Sequence, residues 1–190
     1  MATSDVSIAN RALQLLGSSG RIEALDEDHP NARTMTVAYA SVRDALLRDY
    51  RWNFANKRAS VAADATLTLW GNLNRYPFPN DYLRLSRDDE SRLRLDWRVE
   101  GKFIVTQDKA PLNFKYTAQI TDPTQFDSMF VEAFAHKLAI ATCKEVTGST
   151  ANLADLKDSL KTIMASARQA NAYETDAQAP LEDGWVLARL

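Results

Sequence analysis

The chain has 190 residues, 45% hydrophobic and 25% charged, enough for one substantial core or a core with a small satellite. Its 23 basic and 25 acidic residues leave a net charge of −2, without the basic excess or stripe that a nucleic-acid binder usually carries. A lone cysteine, Cys143, excludes an internal disulfide, and with only His29 and His136 it offers no zinc spacing.

The first helical signal runs from about Ser4 to Leu16. Thr3, Ser4 or Asp5 can cap it, Ala9, Leu13 and Leu16 share a face, and Gly17 stands where a C′ glycine belongs. A polar loop through Ser18-Ser19-Gly20 to Asp28 follows, and Pro30 opens the second helix. Met35, Tyr39, Val42 and Leu46 give its buried face, with Asp44 and Arg48 as an i,i+4 pair on the exposed side. The segment ends in Arg51-Trp52-Asn53-Phe54, where Trp52 and Phe54 are expected to plug the junction with the next module.

From about Ser60 to Ile120 the period changes to two. Leu93, Leu95, Trp97 and Val99 alternate with Arg92, Arg94, Asp96 and Arg98. A turn at Glu100-Gly101-Lys102 leads to Phe103-Ile104-Val105; Leu112, Phe114 and Tyr116 make a third strand and Tyr82 to Leu85 a fourth. Helical period resumes near Pro123, with Phe130, Phe134, Leu138 and Ala141 forming one stripe. Phe126, Met129, Ala133 and Ile140 widen it, as in a helix touched on several sides. After Gly148-Ser149-Thr150, the residues Leu153, Leu156, Leu160, Ile163, Ala167 and Ala170 step as a heptad seam for helix or subunit packing. Beyond about Glu174 the pattern stops.

The expected fold is therefore α+β and mainly α. Residues 1–59 and 122–175 form a four-helix bundle, residues 60–121 a small antiparallel β domain inserted between helices 2 and 3, and residues 176–190 an extended tail.

Few residues suggest chemistry. His136 and Glu132 fall at i,i+4, read as a surface contact rather than an acid–base pair, and Cys143 beside an apolar stripe reads as a buried inert thiol. Asp26-Glu27-Asp28 and Asp88-Asp89-Glu90 lack the alternation and central glycine of a calcium loop. Arg92, Arg94 and Arg98 are interrupted by Asp96 and flanked by acids, a mixed solvent face. No catalytic, metal or cofactor residue is expected. The amino terminus lacks the basic and apolar regions of a signal peptide, and no apolar run reaches membrane-spanning length, so a chain made in a reducing cytosol is expected. Trp185 stands in a short apolar segment after a polar linker; folding back on its own bundle and anchoring on another subunit both remain open.

Three stretches carry a resemblance. They are Arg43-Asp44-Ala45-Leu46-Leu47-Arg48 leading to Trp52-Asn53-Phe54-Ala55, then Tyr76-Pro77-Phe78-Pro79-Asn80-Asp81-Tyr82-Leu83-Arg84-Leu85, and the closing Gly184-Trp185-Val186-Leu187-Ala188-Arg189. In this order the chain resembles the tail tubular protein A family of short-tailed phages and its prophage relatives, over most of its length. The resemblance implies a head-to-tail adaptor of the virion, assembled in the host bacterial cytoplasm. Its copies would form a ring, expected to be twelvefold, beneath the portal protein. That ring would continue the DNA channel without sequence-specific binding and offer a platform to the downstream tail or nozzle protein. It implies no enzymatic role, no cofactor and no membrane. Gly184, Trp185, Val186, Leu187, Ala188 and Arg189 become candidates for docking on the portal or a neighbouring subunit. Some relatives have longer β insertions or tails, so the tail component met by this compact chain stays open. The competing expectation is a cytosolic, non-enzymatic helical module that recruits a protein partner through its β domain.

Overall fold

The computed structural model describes residues 3–65, 73–85 and 97–174. Helix α1, Asp5–Leu15, starts at a reciprocal cap: Ser4 Oγ accepts from Ser7 N at 3.1 Å and Ser7 Oγ accepts from Ser4 N at 2.9 Å. It stops at Gly17, whose φ of 72° lets Ser18 N reach Leu13 O and Gly17 N reach Gln14 O, both at 3.0 Å. Helix α2, Pro30–Asp49, has proline in its first turn and the His29 Nδ1 accepting from Asn31 N. Helix α3, Ser128–Thr147, is capped by Asp127 Oδ1, which accepts from Met129 N at 2.8 Å, and ends at Gly148 with φ 66°. Helix α4 is Leu153–Tyr173.

α1, α2 and α4 each pack on α3, and α1 meets α2 only lightly. Phe130, Ala133, Phe134, Ala135, Leu138 and Ala139 of α3 are accordingly fully buried.

The β region is larger than the periodicity suggests. Strands β1 (Asn56–Val61), β6 (Leu112–Ala118) and β3 (Tyr82–Leu85) form one antiparallel sheet with β6 in the middle. Strands β2 (Asn74–Pro77), β5 (Phe103–Thr106) and β4 (Trp97–Glu100) form a second, with β5 in the middle. In register, Asn56 faces Thr117, Tyr76 faces Ile104 and Trp97 faces Thr106. Phe78, just after β2, links the sheets: its ring stacks on Tyr82 at 3.6 Å and meets Phe114 edge-on at 6.3 Å.

This overturns the expected four-helix bundle with one small β module. The described residues hold four helices at the two ends of the chain and six strands in two three-stranded sheets between them. The helices gather around α3, and α2 also packs on β3 and β6. Two strands escaped the periodicity for physical reasons. β1 exposes Lys57, Arg58 and Ser60 and buries none of its side chains fully, so it shows no apolar alternation. β2 is short and ends in Pro77, which reads as a strand breaker. Of the alternating stretch from Arg92 to Val99, residues 92–96 lie outside the described residues, as do Asp88-Asp89-Glu90.

The buried stripe of α4 includes most of the seam residues named from the sequence. Leu156, Met164 and Ala167 are buried and Leu153, Leu160 and Ile163 half-buried, whereas Ala170 is exposed and Asn171 turns inward. A single straight helix repeats every 3.6 residues rather than 3.5, so its buried stripe drifts off a strict heptad.

Candidate functional site at the helix-to-sheet connector

Between α2 and β1 the chain runs through Tyr50, Arg51, Trp52 and a short 3₁₀ turn, Asn53–Ala55. Tyr50 (φ −130°, ψ 158°) and Trp52 (φ −81°, ψ 126°) are extended. Extended backbone sends successive side chains to opposite sides. Tyr50 and Trp52 meet edge-to-face at 5.3 Å on the helical side, and Arg51 lines a groove on the β side.

On the helical side Trp52 is 1% exposed and meets Phe130 edge-on at 5.0 Å; Phe54 in turn meets Phe126 and Phe130. The Trp52 indole Nε1 donates to Leu46 O at 3.2 Å. Tyr50 leaves the helical path, so the last carbonyls of α2 need partners from outside the helix, and the indole supplies one. Trp52 and Phe54 thus lie between the end of α2 and the start of β1.

The last turn of α4 is latched to this connector. Asn171 Oδ1 accepts from Asn53 N at 2.9 Å, Asn171 Nδ2 donates to Arg51 O at 2.9 Å, and Asn53 Nδ2 donates to Asn171 O at 3.0 Å. Asn53 Nδ2 also donates to Glu174 Oε2 at 3.1 Å, and the Arg168 guanidinium lies 5.5 Å from the Tyr50 ring centre. Sequence reasoning missed this latch. The available signal was Asn171 itself, a polar residue four positions after Ala167 on the buried stripe. A cleft of about 220 Å³ opens here, lined by Trp52, Phe54, Ala167 and Ala170 together with Asp127 and Glu174. The seam and junction candidates therefore meet in one place.

On the β side a wider groove of about 530 Å³ is lined by Arg51, Tyr82, Arg84, Leu85, Trp97 and Val99. Val99 is 48% exposed, unusual for a valine in a strand. Arg84 Nη1 reaches Asp49 O at 3.4 Å, and Arg48 Nη1 donates to Leu83 O. Burial raises the Tyr82 phenol above its ordinary value; a hydrogen bond at Leu85 and the charges of Arg48 and Arg84 oppose that rise. The groove's lining thus combines apolar Leu85, Trp97 and Val99 with the cationic Arg51 and Arg84.

Asp44 and His136 take other places than expected. Asp44 does not pair along the helix with Arg48: it holds Arg43 Nε at 2.8 Å and Gln119 Nε2 at 2.6 Å. Arg43 is 8% exposed, so this group seals α2 against the end of β6. His136 is buried rather than superficial, its Nδ1 2.9 Å from Glu132 O, and the Glu132 carboxylate takes Arg11 Nε at 3.0 Å to tie α1 to α3. Cys143 is buried, with Sγ 3.4 Å from Ser149 O. Glu27 Oε2 accepts from Glu23 N at 2.8 Å and so closes its own loop. Arg98 pairs with Glu100.

A polar cluster fixes β3 to the first sheet. Asp81 accepts from Lys57 Nζ at 2.7 Å and from Tyr116 Oη at 2.9 Å. Burial works to raise the Asp81 carboxyl, but these two bonds, the Lys57 charge and a backbone hydrogen bond together hold it below the ordinary aspartate value. Burial, then the bond to Asp81, pushes the Tyr116 phenol up to about 12.

Among the described residues no group of three or more His, Cys, Asp and Glu side chains could hold a metal ion. No helix among them is long and apolar enough to cross a membrane. The Gly184–Arg189 candidates lie outside the described residues. No family model matches the chain, and no curated protein matches it.

Proposed function

We propose that the protein is a structural head-to-tail adaptor of a phage or prophage particle, a ring subunit that binds the portal above and a tail component below. The observation that carries this reading is the interlock of two of the three sequence motifs behind the resemblance. Arg48 of the first motif donates to Leu83 O of the second, and Arg84 of the second reaches back to Asp49 O. The second motif also supplies the stacked Phe78–Tyr82 pair that links the sheets. These two motifs meet at one junction, as expected if they mark a shared architecture.

A ring needs two different faces on each subunit. α2 and α4 both pack on α3, so each presents its own outward face. On α2 that face carries Val37, 84% exposed, beside Ala40 and Ser41. Negative-stain imaging of the subunit with and without its cognate portal tests the proposal. The expected image is a ring stacked coaxially on the portal; a subunit that stays monomeric and ignores the portal overturns it.

The groove between β3 and β4 favours a second reading, a module that recruits one protein partner through its β region. Binding of a soluble partner at one-to-one stoichiometry, with no ring on any portal, would select that reading.

A further inference from the structure

Three of the four α-helices described begin at a side-chain cap, and the acceptors differ in kind. Ser4 Oγ caps α1 and Asp127 Oδ1 caps α3, oxygens that accept a hydrogen bond throughout the range of about pH 5 to 8. α2 is capped by a ring nitrogen: His29 Nδ1 accepts from Asn31 N at 3.2 Å. An imidazole nitrogen accepts only while it carries a lone pair, so this bond requires the neutral ring with its proton on Nε2. Pro30 fills the first helical position without an N–H, which makes Asn31 N the first backbone donor in need of a partner.

The capped turn also holds the loop before it. Asn31 Nδ2 donates to Gly20 O at 3.0 Å and to Ser18 Oγ at 3.3 Å, and Thr36 Oγ1 donates to Leu25 O. The ring lies over the same loop: a Cβ on Gly20 would stand 3.5 Å from His29 Cε1 and 3.8 Å from Nε2. Ile22 is secured separately, by Asn10 Nδ2 donating to its carbonyl at 2.8 Å and Asn10 Oδ1 accepting from its N–H at 2.9 Å.

We propose that His29 is a proton-operated clasp: the neutral imidazole caps α2 and keeps residues 18–20 and 24–28 on its first turns, and the imidazolium lets them go. Protonation replaces the lone pair by an N–H that faces another N–H. It also puts a positive charge at the positive end of the helix dipole. The charged groups around the ring do not take over the role. From the loop come Arg21, Glu23, Asp26, Glu27 and Asp28, and from the helix itself Arg33. Glu27 Oε2 is engaged by the Glu23 and Ala24 N–H groups at 2.8 and 3.2 Å, Asp28 by Arg33, and Arg21, Glu23 and Asp26 are exposed. The proposal does not depend on either function above.

Two NMR measurements on the full chain test it without a portal or partner. The His29 ring nitrogens report the tautomer: an unprotonated Nδ1 is expected at about pH 8, above the range in which an imidazole changes charge, and a proton on Nδ1 there overturns the proposal. Amide exchange then reads the opening of α2 at Arg33, whose N–H bonds His29 O at 3.1 Å, each rate being divided by that of the unfolded chain at the same pH. Losing the cap and gaining the unfavourable charge should make this opening roughly tenfold more frequent at pH 5 than at pH 8. In His29→Asn, whose side-chain oxygen caps without titrating, the change should be less than about twofold. Ile8, whose N–H bonds Ser4 O behind the α1 cap, should change little in either chain. Equal pH dependence at Arg33 in the two chains overturns the proposal. So does an acid opening that reaches Ile8 to the same extent, because that is a general loss of stability. His136 is present in both chains and cannot produce a difference between them. The tautomer is measured on the unaltered chain, so that arm stands even where His29→Asn fails to fold.

Discussion

Replacing Trp52 by phenylalanine isolates what the indole does at the end of α2. The ring remains large and aromatic, so most of its contact with Phe130 at 5.0 Å and Tyr50 at 5.3 Å is kept. What goes is the Nε1 donor to Leu46 O and a sliver of volume in a site only 1% exposed. A buried carbonyl that loses its partner costs about 1–3 kcal/mol, and underpacking adds on the order of 1 kcal/mol. The expected loss is about 2–4 kcal/mol. In a protein of this size each kcal/mol moves the melting temperature by about 2–4 °C, so Trp52→Phe should melt roughly 5–15 °C lower. Urea unfolding followed by circular dichroism measures it, with the slope against urea unchanged if only the folded state is affected. A Trp52→Phe midpoint equal to that of the parent chain would refute the reasoning, because the indole N–H would then not be the cap of α2.

Two further outcomes follow from local geometry. The folded Asp81 carboxyl is held below its unfolded value, so its contribution is present above pH 4 and lost as pH falls through the depressed value. The Tyr116 phenol is raised from 10.0 to about 12, so its contribution is full below pH 10 and lost between pH 10 and pH 12. Urea midpoints measured across pH should therefore show an acid loss that Lys57→Met reduces and an alkaline loss that Tyr116→Phe reduces; Tyr39, also raised by burial and by its bond to Asp5, keeps part of the alkaline loss in place. At Gly148, with φ 66° and open space where a Cβ would stand, only the backbone resists substitution. Gly148→Ala should cost about 1–2 kcal/mol and Gly148→Asn clearly less, since asparagine tolerates the left-handed region; equal melting temperatures for the two would remove the backbone explanation.

The helices were legible because their ends carry chemistry: Ser4, Pro30, Gly17 and Gly148 each take the capping or stopping role their type favours. β6 was legible because Leu112, Phe114 and Tyr116 alternate with Asn113 and Lys115. The two-sheet arrangement was not, since alternation does not say which strand pairs with which. β6 is central because β1 and β3, both distant in sequence, flank it. Burial of charged and polar groups was equally hidden. Arg43 and His136 look like surface residues until the structure supplies Asp44 for one and the Glu132 carbonyl for the other. Of the candidate site, Trp52 and Phe54 could be named from bulk alone. The Asn53–Asn171 latch could not, because each side chain bonds the other residue's backbone, a pairing that leaves no complementary pattern in sequence.

The way the sheets attach to the helices sets where a partner could act. The first sheet belongs to the helical body: Gln119 after β6 bonds Asp44, Arg48 and Arg84 bridge α2 and β3, and the connector runs directly into β1. Among the described residues the second sheet packs on no helix to a comparable extent. It is held instead by Phe78 against Phe114, by the Arg75–Asp64 pair at 2.7 Å and by Asp64 N on Arg75 O at 2.8 Å. The groove with Leu85 on one side and Trp97 and Val99 on the other therefore lies on the border between the two bodies. An occupant there would touch both β3 and β4 and so tie the second sheet to the helices. A ligand of the helical cleft has no such leverage, because the residues lining it already belong to the helical body and its latched connector.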